Sequence, residues 1–172
     1  MFSRPKKTVT EAEALLKLST LCSQAEHSSG EMRDKMRRWQ MPPDAVERVI
    51  ERLVSERFVD DERFARFFVR DKVRFDRWGR RKIDQALYRK GIDAGTRQSA
   101  LAAVTDDEYA EVLAELLAAK RRTLKAASDY ELNGKLIRFA VGRGFDMNVI
   151  RRCIDEAECY GENTDYTDFD DE

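Results

Sequence analysis

The sequence predicts an all-α protein, an elongated tandem array of three three-helix repeats. Charged residues make up 38% of its 172 residues, and it has only 8 glycines and 3 prolines. A β-sandwich or β-barrel needs a turn rich in these two residue types every ~8–12 residues, so the composition argues against both. No segment alternates apolar and polar residues clearly enough to predict a strand.

Helix starts are marked by capping boxes, in which Ser or Thr is followed three residues later by Glu. The four boxes are Thr10/Glu13, Ser28/Glu31, Thr105/Glu108 and Ser128/Glu131. Pro42-Pro43 ends one helix and opens the next, because proline fits the first turn of a helix but not its interior. These signals predict nine helices, at 11–26, 29–40, 43–57, 61–76, 79–90, 94–103, 106–127, 129–142 and 147–158.

Apolar residues spaced three or four apart predict the buried faces of these helices. They are Val46, Val49, Ile50, Leu53 and Val54 in the third helix, Phe64, Phe67, Phe68 and Phe75 in the fourth, and Ile83 and Leu87 in the fifth. We therefore expect these side chains to contribute to the core.

The sequence also repeats itself after 51 residues and again after 53. Apolar residues then align in five columns: Met32/Ile83/Leu136, Met36/Leu87/Ala140, Met41/Ile92/Phe145, Ile50/Leu101/Ile154 and Leu53/Val104/Ala157. A period near 50 residues with three helices in each unit indicates a tandem helical array. We predict repeats at 11–57, 58–104 and 105–158, with a flexible N-terminus at 1–10 and a disordered acidic tail at 159–172.

Charge is balanced overall but unevenly distributed. The chain has 32 basic and 33 acidic residues, and residues 158–172 hold seven of the acids and no base. Residues 1–157 therefore carry 32 basic against 26 acidic residues, a net charge of +6. This asymmetry favours a nucleic acid or another polyanion as partner, although a charged segment can also be a solvated face.

Signals for catalysis, metal binding and membrane insertion are weak. The chain has no glycine-rich phosphate loop, and its one histidine, His27, reads as a turn residue before a helix start. Cys22, Cys153 and Cys159 form no CxxC pair, so zinc would have too few ligands. No apolar run is long enough to span a membrane, and the N-terminus lacks the apolar core of a signal peptide. We expect a cytoplasmic protein that is not an enzyme and uses no metal or cofactor.

The strongest local feature is the basic segment 70–90, which has nine basic residues against three acidic ones. The predicted binding face is Arg74, Arg77, Arg80, Arg81, Lys82, Arg89 and Lys90. Three of these cations open a helix, where they oppose the helix dipole, and an anionic partner would offset that cost. The alternative is that the basic residues only aid solubility while Trp78 packs between helices.

Three stretches of this region closely resemble the central motif of the RecX family: DDERFA at 60–65, RWGRRKI at 77–83 and LYRKGI at 87–92. The stretch EHSSGEM at 26–32 resembles the first-repeat motif of the same family, whose pattern covers about residues 12–157. The motif positions expected to pack at the helix joints are Trp78, Gly79, Ile83, Leu87, Gly91 and Ile92. The joint at 75–79 is longer than the usual one, and the acidic tail lies outside the motif.

The resemblance implies tandem three-helix repeats and a non-catalytic regulator that binds the RecA recombinase and its filament on DNA. Such a protein mostly inhibits the ATPase, strand-exchange and co-protease activities of RecA in recombination, DNA repair and the SOS response. We expect a monomer, with single- or double-stranded DNA as a further contact. The alternative is a stand-alone DNA-binding module of helix-turn-helix type, which also has three short helices with a basic last one.

Overall fold

The computed structural model describes residues 8–161, with side chains through Asp155. Nine α-helices and no strand occur within this range, which confirms the all-α prediction. The helices are α1 (Glu11–Gln24), α2 (Ser29–Arg38), α3 (Pro43–Ser55), α4 (Asp61–Arg74), α5 (Arg80–Arg89), α6 (Ala94–Ala102), α7 (Asp106–Arg121), α8 (Asp129–Gly142) and α9 (Met147–Gly161). The predicted N-terminal segment and acidic tail lie largely outside the described residues.

The predicted capping boxes are complete at three helix starts, those of α1, α2 and α7. At α8, the Ser128 side chain accepts the Glu131 N–H, but the Glu131 carboxylate accepts the Ala127 N–H at 2.9 Å instead of completing the box. α7 ends six residues before the prediction, at Arg121. The Lys120 carbonyl accepts the Thr123 hydroxyl at 2.9 Å and also the Thr123 and Leu124 N–H groups, so the chain makes a last turn there.

The described chain divides into two compact units. The first comprises residues up to Phe68 together with Ala86–Ala100, and α1 and α2 pack on α3 within it. Its fully buried core side chains include Leu18, Met32, Met36, Leu53 and Val59.

The second unit comprises Val69–Gln85 together with residues from Leu101 onward. Within it, α7 packs against α8 and α9. Its fully buried core side chains include Tyr109, Leu113, Leu136, Phe145 and Ile150, and the Tyr109 and Phe145 rings meet edge to face at 6.5 Å. No helix in the described part of the chain is both long and apolar enough to cross a bilayer.

The five repeat columns are confirmed as core. All fourteen of their described side chains are buried, and the fifteenth, Ala157, lies beyond the described side chains. The column Met32/Ile83/Leu136 is at most 1% exposed. The same position of each repeat therefore points inward, as expected when one three-helix pattern is repeated along a chain.

Three predicted core residues are in fact exposed: Val54 (49%), Phe67 (55%) and Phe75 (72%). The buried residues of α4 are Phe64, Ala65, Val69 and Val73. At 3.6 residues per turn, Phe67 lies nearly opposite the middle of this face, and Phe75 follows the end of the helix. The large aromatic side chains obscured a face built partly from small residues.

Candidate basic interface

The first unit contains a close joint between the start of α2 and the turn that follows α5. The Ser28 hydroxyl donates to the Lys90 carbonyl at 2.7 Å. A Cβ atom at Gly30 would collide with that same carbonyl oxygen and lie 2.9 Å from the Gly91 Cα. Gly91 has φ +76°, a left-handed conformation that glycine adopts without strain. The joint therefore needs a glycine on each side.

Opposite charges meet across this first joint. The Glu31 carboxylate pairs with the Lys90 ammonium, and the Asp61 carboxylate accepts the Ser29 N–H and hydroxyl at 2.7 and 2.6 Å. Partial burial raises the pKa of Glu31, but the hydrogen bonds from Lys90 and the Ser28 N–H outweigh it, so this pKa is lowered overall. The electrostatics of this joint therefore stabilise the fold.

The second unit contains the equivalent joint, one repeat further along the chain. The Gly79 N–H donates to the Arg143 carbonyl at 2.8 Å, and the Arg81 N–H donates to the Gly144 carbonyl at 2.9 Å. Gly144 has φ +89°, and a Cβ atom there would lie 3.0 Å from the Lys82 Cα. The start of α5 thus lies directly against the turn between α8 and α9.

Arg80 braces this second joint. Its guanidinium donates to the Asp106 and Asp146 carboxylates at 2.8 Å each and lies 4.6 Å from the centroid of the Tyr109 ring. Burial lowers the pKa of Arg80, but the hydrogen bonds to the two carboxylates raise it by more. The pKa of Arg80 therefore lies above its usual value. Burial also raises the pKa of Tyr109, to about 12, although the nearby Arg80 charge lowers it.

The two joints differ in one pair of charges. The repeat relationship aligns Glu31 with Lys82, and Lys90 with Arg143. The opposite charges that meet at the first joint are therefore replaced at the second by two cations. Neither Lys82 nor Arg143 has a carboxylate partner among the described residues.

Trp78 lies beside Lys82 and brings a further cation, Lys72, next to it. The Lys72 and Lys82 ammonium groups lie 4.8 and 4.4 Å from the centroid of the Trp78 ring. The Arg143 guanidinium lies 3.5 Å from the Asp76 carbonyl oxygen, and the Asp76 carboxylate pairs with Lys72. We call Lys72, Trp78, Lys82 and Arg143 the Trp78 cluster.

The other predicted contact residues occupy different environments. Arg74 is exposed beside the Phe75 ring, and Arg77, at φ +52°, pairs with Glu115 at 3.3 Å. Arg81 and Arg89 are exposed. Five of the seven predicted residues lie in the second unit, whereas Arg89 and Lys90 belong to the first.

Of the six residues predicted to pack at the joints, four are buried, one is half-buried and one is exposed. Ile83, Leu87 and Ile92 are at most 2% exposed. Gly79 is buried, Trp78 is half-buried and Gly91 is exposed. Trp78 therefore has one part in the fold and another at the surface beside the cations.

Sequence reasoning missed two members of the cluster, Lys72 and Arg143. The available signal was the repeat itself, because RGFD at 143–146 echoes KGID at 90–93. Comparing the charges at aligned positions would have shown that Lys82 stands where the first repeat has Glu31, while the partner position has remained basic. Residue type alone did not separate Arg143 from the other arginines.

The site has the chemistry of anion binding. Within the described residues, no group of three or more His, Cys, Asp and Glu side chains could hold a metal ion. His27 lies just before α2, where its Nδ1 is 3.4 Å from a Glu31 carboxylate oxygen. The surface of the second joint instead presents ammonium and guanidinium groups, which bind phosphates and carboxylates.

Comparison with known proteins matches most of the chain to one family. Family models for the first, second and third three-helix domains of RecX match residues 16–53, 60–101 and 106–154. The Regulatory protein RecX of Prosthecochloris aestuarii is 34% identical over 132 residues, which cover 76% of this chain and 84% of that protein. The Regulatory protein RecX of Oceanobacillus iheyensis is 28% identical over 131 residues, which cover 76% of this chain.

That second match covers 48% of the Oceanobacillus protein, so the chain spans about half the length of this relative. The crystal structure of RecX from Lactobacillus salivarius superposes with a TM-score of 0.79 at 22% identity, covering 87% of this chain and 97% of that one. This structural likeness shows a shared fold. Together with the three domain matches, it establishes a tandem array of three-helix domains, and the chain belongs to the RecX family of regulatory proteins.

Proposed function

We propose that this chain binds the RecA recombinase and its filament on DNA, and that it restrains ATP hydrolysis, strand exchange and co-protease activity by RecA. Membership of a family of regulatory proteins supports a regulatory role. The chain acts by binding, as a cytoplasmic monomer, and carries out no chemical step itself. RecA is the partner that the family resemblance implies.

The observation that carries this proposal is the excess of positive charge at the second joint. Lys82 and Arg143 replace the opposite charges of the first joint, and Arg81 is exposed on the same helical turn as Lys82. A RecA–DNA filament presents phosphates and acidic side chains, both of which bind such groups. We assign partner contact to Arg74, Arg81, Lys82 and Arg89, and also to Arg77, because its pair with Glu115 is formed by two exposed side chains.

Arg80 and Lys90 have a different part in this proposal. Arg80 is held by Asp106 and Asp146, and Lys90 by Glu31. Their charges are already compensated, so we expect them to position the joints that carry the contact residues. Reversing Arg80 would bring three carboxylates together, and a loss of binding could then reflect unfolding.

The test is the ATP turnover of RecA on single-stranded DNA as the chain is titrated in. DNA binding by the chain alone, in the same buffer, is the control. We expect inhibition at chain concentrations well below those that coat bare DNA. No inhibition, or inhibition only when the chain saturates the DNA, would contradict action on the filament and favour a stand-alone DNA-binding module.

A further inference from the structure

We propose that the Trp78 cluster is a binding site for the phosphodiester backbone of a nucleic acid. This inference rests on the proposed function and deepens it, because it names DNA phosphates rather than a protein surface as what this part of the interface binds. The cluster is formed within the second unit by residues of α4, the α4–α5 loop, α5 and the α8–α9 turn.

Charge balance is the first argument. The cluster holds three cations, and Asp76, which pairs with Lys72, is the carboxylate described beside it. The backbones of Lys82 and Gly144 touch, so the Arg143 side chain starts one residue away from Lys82. Both side chains carry a positive charge, and an anion bound beside them would be attracted to both.

The first joint has opposite charges where the second has two cations. The aligned positions of the first joint are Glu31 and Lys90, which attract each other, although Gly91 lies against Gly30 there whereas Gly144 lies against Lys82. A glutamate at residue 82 would be attracted to the Arg143 charge, which would stabilise the second joint locally. The lysine gives up this local stabilisation, as expected when a position serves a ligand instead of the fold.

The cations are also held in place before any ligand arrives. The Trp78 ring has an ammonium group within 5 Å of its centroid from both Lys72 and Lys82, at 4.8 and 4.4 Å. Side chains positioned in this way lose less conformational freedom on binding. The N–H groups of Gly79 and Arg81 are already bonded to carbonyls, so the side chains, and not the helix end, form the site.

Phosphate fits this surface better than an acidic protein does. The cores of protein–protein interfaces are depleted of charged residues, lysine among them, and are rich in uncovered aromatic and apolar side chains. Here the aromatic side chain is Trp78, and the ammonium groups of Lys72 and Lys82 lie beside its ring. Interfaces with nucleic acids are far more positively charged, and Arg and Lys supply their backbone contacts.

The test is the Lys82→Glu variant of the full chain, without RecA. Fluorescence anisotropy would follow a labelled oligothymidylate and a duplex of equal length across a salt series. We expect about tenfold weaker binding at low salt and a smaller salt dependence, because at least one phosphate contact is lost. A loss for the single strand alone or for the duplex as well would identify which form of DNA supplies the phosphates.

Two controls separate the site from folding and from overall charge. Lys82→Glu should unfold at about the temperature of the wild type, because Lys82 has no carboxylate partner to lose among the described residues and the new carboxylate would be attracted to Arg143. Lys82→Gln, which removes the charge without adding one, should weaken binding less. Arg38→Glu changes the net charge by the same amount at an exposed position of the first unit and should leave the salt dependence unchanged.

Unchanged DNA affinity and salt dependence in folded Lys82→Glu would overturn the phosphate site. Polyglutamate that competes as well as oligothymidylate at equal negative charge would also overturn it, in favour of an acidic protein partner. The proposed function has a separate readout. If Lys82→Glu loses DNA binding but inhibits RecA like the wild type, the phosphate site stands and the role of this residue in inhibition fails.

Discussion

The Lys90 ammonium pairs with the Glu31 carboxylate and lies 5.6 Å from the ring centroids of both Phe64 and Phe68. Glu31 also accepts the Ser28 N–H at 3.0 Å, which completes the capping box of α2. One carboxylate therefore fixes a helix start and a contact between residues 59 positions apart in the chain.

Glu31→Gln should lower the free energy of unfolding by about 1–2 kcal/mol at neutral pH, because Gln can still accept the capping bond but loses the ion pair. The Glu31 pKa is lower in the folded protein than its usual value of 4.5. Its stabilisation is therefore present above that value and lost as the pH falls through the folded pKa. Urea unfolding at pH 7 and pH 3 should show the difference from the wild type shrinking; equal differences at both would contradict this.

Arg80→Ala should destabilise the second unit by roughly 1–3 kcal/mol, because it removes two charge-assisted hydrogen bonds and leaves two carboxylates unpaired. Arg81→Ala should change stability by less than about 0.5 kcal/mol, since its side chain is exposed. Chemical denaturation of both variants checks this contrast between adjacent arginines. Equal free energies of unfolding for the two variants would show that Arg80 does not stabilise the second joint.

Gly79→Ala should destabilise the second unit by about 2 kcal/mol or more, because the added Cβ would collide with the backbone of Gly144 and Phe145. Gly134→Ala is the matched control: it lies within α8, and the nearest atom to its Cβ is the end of Arg138, at 3.8 Å. This control should gain up to about 1 kcal/mol from helix propensity. Thermal unfolding compares the two, and a tolerated Gly79→Ala would show that the joint can open.

Leu136→Ala should cost about 2–5 kcal/mol of stability, because this side chain is 1% exposed and belongs to a repeat column. Phe67→Ala removes a larger side chain that is 55% exposed, and it should cost far less. Denaturant titrations of both variants measure the contrast. A larger loss for Phe67 would mean that the buried face of α4 is assigned wrongly.

The core could be predicted from sequence where a pattern recurs. Met32, Ile83 and Leu136 occupy the same position of three repeats, so their burial follows from the spacing of apolar residues. Phe67 was assigned wrongly to the core because a large aromatic residue is a stronger sign of burial in the sequence than an alanine. In the structure Ala65 is buried and Phe67 is exposed. The α7 end at Arg121 was missed because the sequence has no glycine or proline between that residue and Ser128, which opens the next predicted helix.

The roles of the basic residues could not be read from the sequence. Arg80 and Arg81 are adjacent and of one type, but the carboxylates that hold Arg80 are 26 and 66 residues away. Arg143 lies far outside the basic segment 70–90, and folding brings its neighbour Gly144 against Lys82. Only the three-dimensional pairing of charges separates residues that brace the fold from those available to a partner.

The most direct measurement is the concentration of this chain that halves ATP turnover by RecA on single-stranded DNA. It should be compared for the wild type, the double variant Arg81→Glu/Lys82→Glu and the control Arg38→Glu. We expect the double variant to need at least about tenfold more protein, the equivalent of 1.4 kcal/mol of binding, and the control to match the wild type. A folded double variant that inhibits at the wild-type concentration would contradict the role assigned to this basic surface.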